Sequence, residues 1–443
     1  MSKTKWSDLY KLEDWWAVWI GLLLLASVFS GWVTLVPKIP KWKGIDILAA
    51  LPIDLIPSLV LLAIALCAVF TFGNILMQGR RANAMIPGFL AIFILATLAY
   101  VLGNSQAAKA INLGYAFWAL LIGLLISNTV GTPEWLKPAV RTEYYIKTGL
   151  VILGAEILFS RIVEFGPYGL AIAWGVTPIV VIFMYLFGTR ILKMQQKTLV
   201  MIVATSTSVC GVSAAIAAAA ACRAKKDELT LAVGMTLIFT VIMMVFMPLF
   251  VKAVNMNELV GGAWLGGTID ATGAVVAAGE ALGDVAGKAA ALVKMIQNML
   301  IGAIAFAIAI FWVTSVEKQP GSSEKQPGSS TPTLNELWVR FPKFVLGFIV
   351  ASLLVSFVFV PVIGLNNVQA LLKQTKNYRG WLFCMAFISI GLESNFQILA
   401  QQMRGGKPMI LYIVGQSFNI LLTLAVVWLM LSGNFFPVPE LGG

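Results

Sequence analysis

The sequence predicts an all-α integral membrane protein with 11–13 membrane segments, inverted repeats and two interrupted helices, and three observations carry that reading. Of 443 residues, 59% are hydrophobic and 12% charged, whereas a soluble domain carries about 25% charge. Apolar stretches long enough to cross a bilayer recur along the whole chain. Two of them are broken by small polar residues. The first reads Val203-Ala-Thr-Ser-Thr-Ser-Val-Cys-Gly-Val-Ser-Ala-Ala-Ile216 and the second Gly266-Gly-Thr-Ile-Asp-Ala-Thr-Gly273. A backbone that leaves the helix inside a bilayer must find partners for its freed groups, so such breaks belong where protein or a water-filled cavity surrounds them. Paired breaks point to the binding site of a transporter.

In chain order, residues 1–14 form a charged cytoplasmic tail, and 15–315 the first part of the membrane domain. Trp15–Val36 is the first span, with tryptophans where interfacial aromatics belong. Leu55–Met77 and Ile86–Leu102 follow, separated by Gly79-Arg-Arg81 on the cytoplasmic side, and then Phe117–Thr129, Tyr145–Arg161 and Tyr168–Leu192. The first interrupted segment, 198–222, is basic on both flanks (Lys193, Lys197; Arg223, Lys225, Lys226). A full crossing would leave one cluster outside, against the positive-inside trend, which favours a re-entrant hairpin over a broken spanning helix. Leu229–Ala253 spans, the second interrupted segment occupies 261–281, and Ala290–Val313 spans again. Between 316 and 340 Glu-Lys-Gln-Pro-Gly-Ser-Ser occurs twice, a composition expected of a flexible cytoplasmic linker. The second membrane part, 341–432, holds Phe344–Val362, Trp381–Leu399 and Met409–Leu431, and 433–443 is a tail.

An internal echo supports the inverted repeat. Leu121-Ile-Gly-Leu-Leu-Ile-Ser127 resembles Leu346-Gly-Phe-Ile-Val-Ala-Ser352, and Ile152-Leu-Gly-Ala-Glu156 resembles Ser389-Ile-Gly-Leu-Glu393. The interrupted segment follows the first block and precedes the second, so a simple tandem duplication does not fit. There is no histidine and no Walker-type loop, so neither an imidazole metal site nor ATP-driven transport is expected. The four cysteines lie in or beside apolar segments and predict no disulfide. The net charge of +11 sits between apolar segments, where topology rather than nucleic acid accounts for it.

The candidate substrate- or ion-binding residues are Thr205, Ser206, Thr207, Ser208, Cys210, Gly211 and Ser213 in the first break. Gly267, Thr268, Asp270, Thr272 and Gly273 supply the second, and Lys294 stands in the following span. A starting half-helix offers N–H groups to an oxyanion, and unwound carbonyls suit Na⁺. Small residues also simply let helices approach, which is the better reading of the alanine run 214–221. Asp270 is the sharpest candidate, because a mid-membrane carboxylate is by default functional; a watery hairpin mouth or a pair with Lys294 is the structural alternative. Lys294 is then either that partner, an anion contact, or a snorkelling side chain. Asn128, Glu156, Gln297 and Glu393 are secondary candidates, with capping the simpler role for the two glutamates.

Thr207-Ser-Val-Cys-Gly-Val-Ser-Ala-Ala215, Gly266-Gly-Thr-Ile-Asp270 with Val275-Val-Ala-Ala278, and Leu292-Val-Lys294 resemble the signatures of the YeiH-like family of bacterial membrane proteins, named as sulfate exporters. The resemblance covers roughly Trp118 to Leu431. It implies an inverted-repeat transporter with crossing broken helices in the bacterial inner membrane. Where the family has a histidine, an acid and a glutamine, this chain has Asp270, Ala271 and Gly273, and Gln297 stands for an arginine. The fold therefore carries over better than the substrate. The expected function is secondary active transport of a small anion, sulfate or sulfite by resemblance, coupled to H⁺ or Na⁺ through Asp270. The alternatives are a cation/proton exchanger without an anion substrate, a channel, or a membrane sensor. No enzymatic activity, metal or organic cofactor is expected; the lipid bilayer is the expected partner, and a homodimer is suggested only by analogy with related folds.

Overall fold

Long apolar runs leave the backbone no hydrogen-bonding partner but itself, and the chain answers with helices throughout. The computed structural model describes residues 8–43, 51–78, 84–110, 114–316, 341–397 and 406–441. Residues 1–7 of the expected tail, Arg80 and Arg81, the linker beyond Val316, and residues 442 and 443 lie outside these. The main helices are α1 (Glu13–Phe29), α2 (Ile56–Gln78), α3 (Met85–Gly103), α4 (Tyr115–Thr129), α5 (Thr142–Ala155) and α6 (Phe159–Ile191). The first interrupted segment gives α7 (Lys197–Thr205) and α8 (Gly211–Ala221), followed by α9 (Lys226–Ala253). The second gives α10 (Glu258–Thr268) and α11 (Thr272–Leu282), followed by α12 (Asp284–Phe311), α13 (Lys343–Ile363), α14 (Leu365–Glu393) and α15 (Lys407–Leu431). Among the described residues, eight helical stretches have the length and apolarity to cross a membrane. The protein is an all-α integral membrane protein.

Both interrupted segments are hairpins. A straight helix of 25 residues would be about 37 Å long. Yet Thr198, at the start of α7, donates to the Glu228 carboxylate (2.8 and 2.9 Å) in the first turn of α9, just beyond the end of α8. The two ends of the segment therefore lie at one level. Its middle lies about ten residues deeper along α9, where the Thr236 hydroxyl donates to Ser206 Oγ (3.2 Å). Length and composition alone would let 197–221 cross, but it turns back. In the second hairpin Gly262 of α10 and Gly279 of α11 both pack on Ala286 of α12, and the Glu258 carboxylate lies against Gly283. A Cβ on Gly279 would meet Ala290 Cβ and Gly287 Cα at 3.0 Å, so the glycines are what let both arms lie on one helix.

The hairpins enter from opposite ends, because α9 begins beside the base of the first and ends beside the base of the second. The end holding the first base is basic, with Lys193, Lys197, Arg223, Lys225 and Lys226.

The echo in the sequence becomes geometry in α4–α5 and α13–α14. Ser127 donates to the Ser394 carbonyl (3.2 Å) and Ser352 to the Ile157 carbonyl (2.6 Å). Glu393 accepts from Thr142 (3.0 Å), while Glu156 accepts from Arg379 (2.8 and 3.0 Å). Matching Glu156 to Glu393 also matches Thr142 to Arg379 and Ile157 to Ser394, so each contact has its twin with the partners exchanged. Helices α5 and α14 lie antiparallel, as an inverted repeat requires. The units run α4–α5–α6, hairpin, α9, then hairpin, α12, α13–α14–α15; the second copy is permuted, which is why no tandem duplication reads out. Ser127→Ala and Ser352→Ala should each lower stability by about 0.5–1.5 kcal/mol, one hydrogen bond's net worth. Thermal unfolding in detergent would check whether the two losses match.

Candidate functional site

The hairpin tips meet in the interior. The first leaves the helix through a π-turn at Ser206–Cys210, then Cys210 (φ −155°, ψ 91°) and Gly211 (φ 2°, ψ −99°) turn the chain. The second breaks at Ile269–Ala271, with Ile269 (φ −72°, ψ 134°) and Ala271 (φ −96°, ψ 135°) extended on either side of Asp270. The Gly211 N–H donates to the Asp270 carbonyl (3.1 Å), tying tip to tip. A Cβ on Gly211 would press on the Thr236 methyl at 2.7 Å, so the contact needs glycine.

On one side of the crossing lie the carbonyl ends of α7 and α10. Each is met by a donor from α12 or α15. Lys294 Nζ, on a side chain 1% exposed, donates to the Val209 carbonyl (2.5 Å), the Ile269 carbonyl (2.8 Å) and Gln297 Oε1 (2.8 Å). Gln297 Nε2 donates to the Ser208 carbonyl (2.9 Å) and the Gly267 carbonyl (3.3 Å). Gln416 donates to the Thr268 carbonyl (3.0 Å) and Asn419 to that of Thr207 (3.4 Å). A cation at two helix C-termini is where the helix dipole favours it. Lys294 thus staples both breaks with two of its N–H groups and holds Gln297 with the third.

On the other side are the N-terminal ends of α8 and α11. Cys210, Ser213, Thr272 and Asn298 line a cavity of about 320 Å³ that reaches Asp14, Glu143 and Lys147. Lys147 pairs there with Asp14 (2.8 Å) and Glu143 (3.4 Å). Asn298, 2% exposed, donates to Thr272 Oγ1 (3.0 Å), and its Oδ1 has no partner. A half-turn of this amide would let it accept from Thr272 and turn its N–H₂ to the cavity.

The expected residues divide accordingly. The hydroxyls of Thr205, Ser206, Thr207 and Ser208 turn back to carbonyls of their own helix at Met201, Val203, Val203 and Ala204, the usual side-chain competition within a helix. Cys210 and Thr272 touch each other (3.7 Å) at the cavity floor, and Ser213 is exposed to it. Gly267 and Gly273 serve packing against Thr423, Ile390 and Ile146. Asp270 is buried (1%); Tyr412 donates to its Oδ2, and Oδ1 has no partner. It takes no salt bridge from Lys294, whose N–H groups point to the carbonyls. Asn128, Glu156 and Glu393 stand apart from the tips, in the repeat contacts; Asn128 donates to the Ser394 carbonyl (2.9 Å). Thr236, Asn298, Tyr412, Gln416 and Asn419 belong to the site without having been singled out. The spacing of 412, 416, 419 and 423 along an apolar helix is one polar face, and it was the available signal.

The model of the family described as conserved hypothetical protein 698 matches residues 87–412. A UPF0324 membrane protein of Rhodopirellula baltica is 53% identical over 372 residues, covering 84% of this chain and 67% of its own. One from Nitratidesulfovibrio vulgaris is 50% identical over 385 residues, 86% of this chain and 65% of its own. This chain thus spans about two thirds of the length of those two relatives. A UPF0324 membrane protein of Nitrosomonas europaea is 29% identical across 98% of this chain and 99% of its own. No solved structure matches the chain.

Proposed function

We propose that this chain, which belongs to the conserved hypothetical protein 698 family of membrane proteins, is a secondary transporter of a small anion working by alternating access. One observation carries the reading: two hairpins from opposite ends present the starts of α8 and α11 to one cavity, beside Cys210, Ser213, Thr272 and the half-satisfied Asn298. Helix starts favour negative charge, and opposed hairpins suit alternate opening to the two sides. An oxyanion of the sulfate or sulfite type is the class the sequence resemblance suggests. The positive-inside trend makes the basic end cytoplasmic, so the cavity would open inward, and a bacterial inner membrane fits a family named in bacteria. The reading involves neither enzymatic chemistry nor an organic cofactor.

Flux in proteoliposomes tests it. Labelled sulfate uptake, with sulfite as competitor and with pH or Na⁺ gradients imposed, should be saturable and gradient-dependent. Asn298→Ala should weaken sulfate by roughly ten- to a hundredfold, the loss of one hydrogen bond to a charged group at about 1.5–3 kcal/mol. Anion-independent pH or Na⁺ signals would instead favour a cation exchanger. A specific observation supports that second reading: Asp270 does not line the cavity, and one of its oxygens has no partner.

A further inference from the structure

We infer that Asp270, Thr240, Thr268 and Gln416 form a binding site for a small monovalent cation, sodium by ligand type, between the second hairpin tip and helices α9 and α15. Asp270 Oδ1, Thr240 Oγ1, Thr268 Oγ1 and Gln416 Oε1 are all buried, and none has a hydrogen-bond partner. Their residues are 1%, 3%, 1% and 4% exposed. Among the described residues seven buried side-chain polar atoms lack a partner, and these four belong to residues of the second hairpin tip, α9 and α15, elements that contact one another around Gln416 and Tyr412. An unpartnered buried acceptor is costly and asks for an explanation, an ion among them.

The neighbourhood is fixed by contacts on every side. Gln416 Nε2 donates to the Thr268 carbonyl (3.0 Å) and meets Met243 Sδ at 2.8 Å. Tyr412, one turn earlier in α15, donates to the other oxygen of Asp270 and stacks on Phe239 with ring centres 4.4 Å apart. Thr240 stands one turn after Thr236, which donates to Ser206, and one turn before Met243, which touches Gln416. All four free atoms are oxygens, the ligand type of hard cations rather than of softer transition metals. The single carboxylate balances one positive charge. A proton on Asp270 Oδ1 supplies a single donor and so serves only one of the other three oxygens, whereas one sodium ion accepts all four as ligands. The site lies across the crossing from the anion cavity, joined to it through the Gly211–Asp270 contact.

This deepens the transport reading by naming its coupling ion, and it rests on that reading for the coupling but not for the binding. Calorimetric titration of NaCl into the detergent-solubilised full chain, in choline buffer without sulfate, tests the site. Saturable binding is expected, at least about tenfold weaker for KCl, reduced about tenfold or more in Thr240→Val and in Gln416→Leu, and lost in Asp270→Asn. Unfolding curves in choline identify any variant that fails to fold, and the two neutral substitutions serve as independent checks. No saturable sodium binding by the wild type, or binding unmoved by both neutral substitutions, overturns the site. Sulfate flux without sodium binding would leave anion transport standing while removing this proposal. Sodium binding without any flux would do the reverse.

Discussion

Replacing Lys294 by methionine should lower stability by about 2–5 kcal/mol, among the largest effects of any single substitution in this protein. The side chains are similar in length, so packing changes little. What disappears is the group that holds two broken helices together. The Val209 and Ile269 carbonyls and the Gln297 amide oxygen each lose a donor. A buried acceptor left alone costs about 1–3 kcal/mol, offset in part because a buried ammonium no longer has to be desolvated. Water cannot readily substitute, since Lys294 and Gln297 are 1% and 2% exposed. Thermal unfolding in detergent would measure the loss. A variant as stable as wild type, impaired only in sulfate uptake, would mean that Lys294 acts on an anion and that the staple is unimportant.

Much of this architecture was legible beforehand, and the parts that were not have a common cause. The two breaks announced themselves because Ser, Thr, Cys and Gly interrupt apolar runs, and the basic flanks argued for a turn back in 198–222; that 261–281 also turns back emerged only from its packing on α12. Asp270 stood out because a carboxylate in such a run is rare. The match of Glu156 with Glu393 was visible as a local pattern, and the exchanged contacts with Arg379 and Thr142 turn that pattern into an antiparallel pair. Other assignments needed pairings across the chain. The hydroxyls at 205–208 are as concentrated as a ligand site would be, yet they close onto their own helix. Lys294 could have faced an anion or Asp270; only the position of two carbonyls, 85 and 25 residues earlier in sequence, decides otherwise. Tyr412 and Gln416 come from a helix more than 140 residues beyond the tip they serve. Local composition marks where a helix breaks. It does not say which distant side chain repairs the break.

Replacing Arg379 by methionine should cost a similar amount, about 3–5 kcal/mol, near the base of the second hairpin. Arg379 is 2% exposed in its side chain, and it pairs with Glu156 (2.8 and 3.0 Å) and Glu280, whose side chains are 6% and 14% exposed. Removing the arginine leaves two carboxylates close together with their shared cation gone. Asp284, at 3.7 Å from the guanidinium, adds a third negative group. If the penalty comes from unpaired charge, neutralising the acids should undo it: Arg379→Met combined with Glu156→Gln and Glu280→Gln should recover most of the lost stability. Unfolding temperatures of the single and triple variants measure this directly. A triple variant no more stable than Arg379→Met would show that the guanidinium acts through its packing, for instance over the Phe383 ring at 5.4 Å. The comparison also separates the two halves of the pseudo-symmetric pair. Thr142, the counterpart of Arg379, holds Glu393 with one neutral hydrogen bond at 3.0 Å. Thr142→Val should therefore cost only about 1 kcal/mol. The charged contact ties α11 of the second hairpin, through Glu280, to α5 and α14.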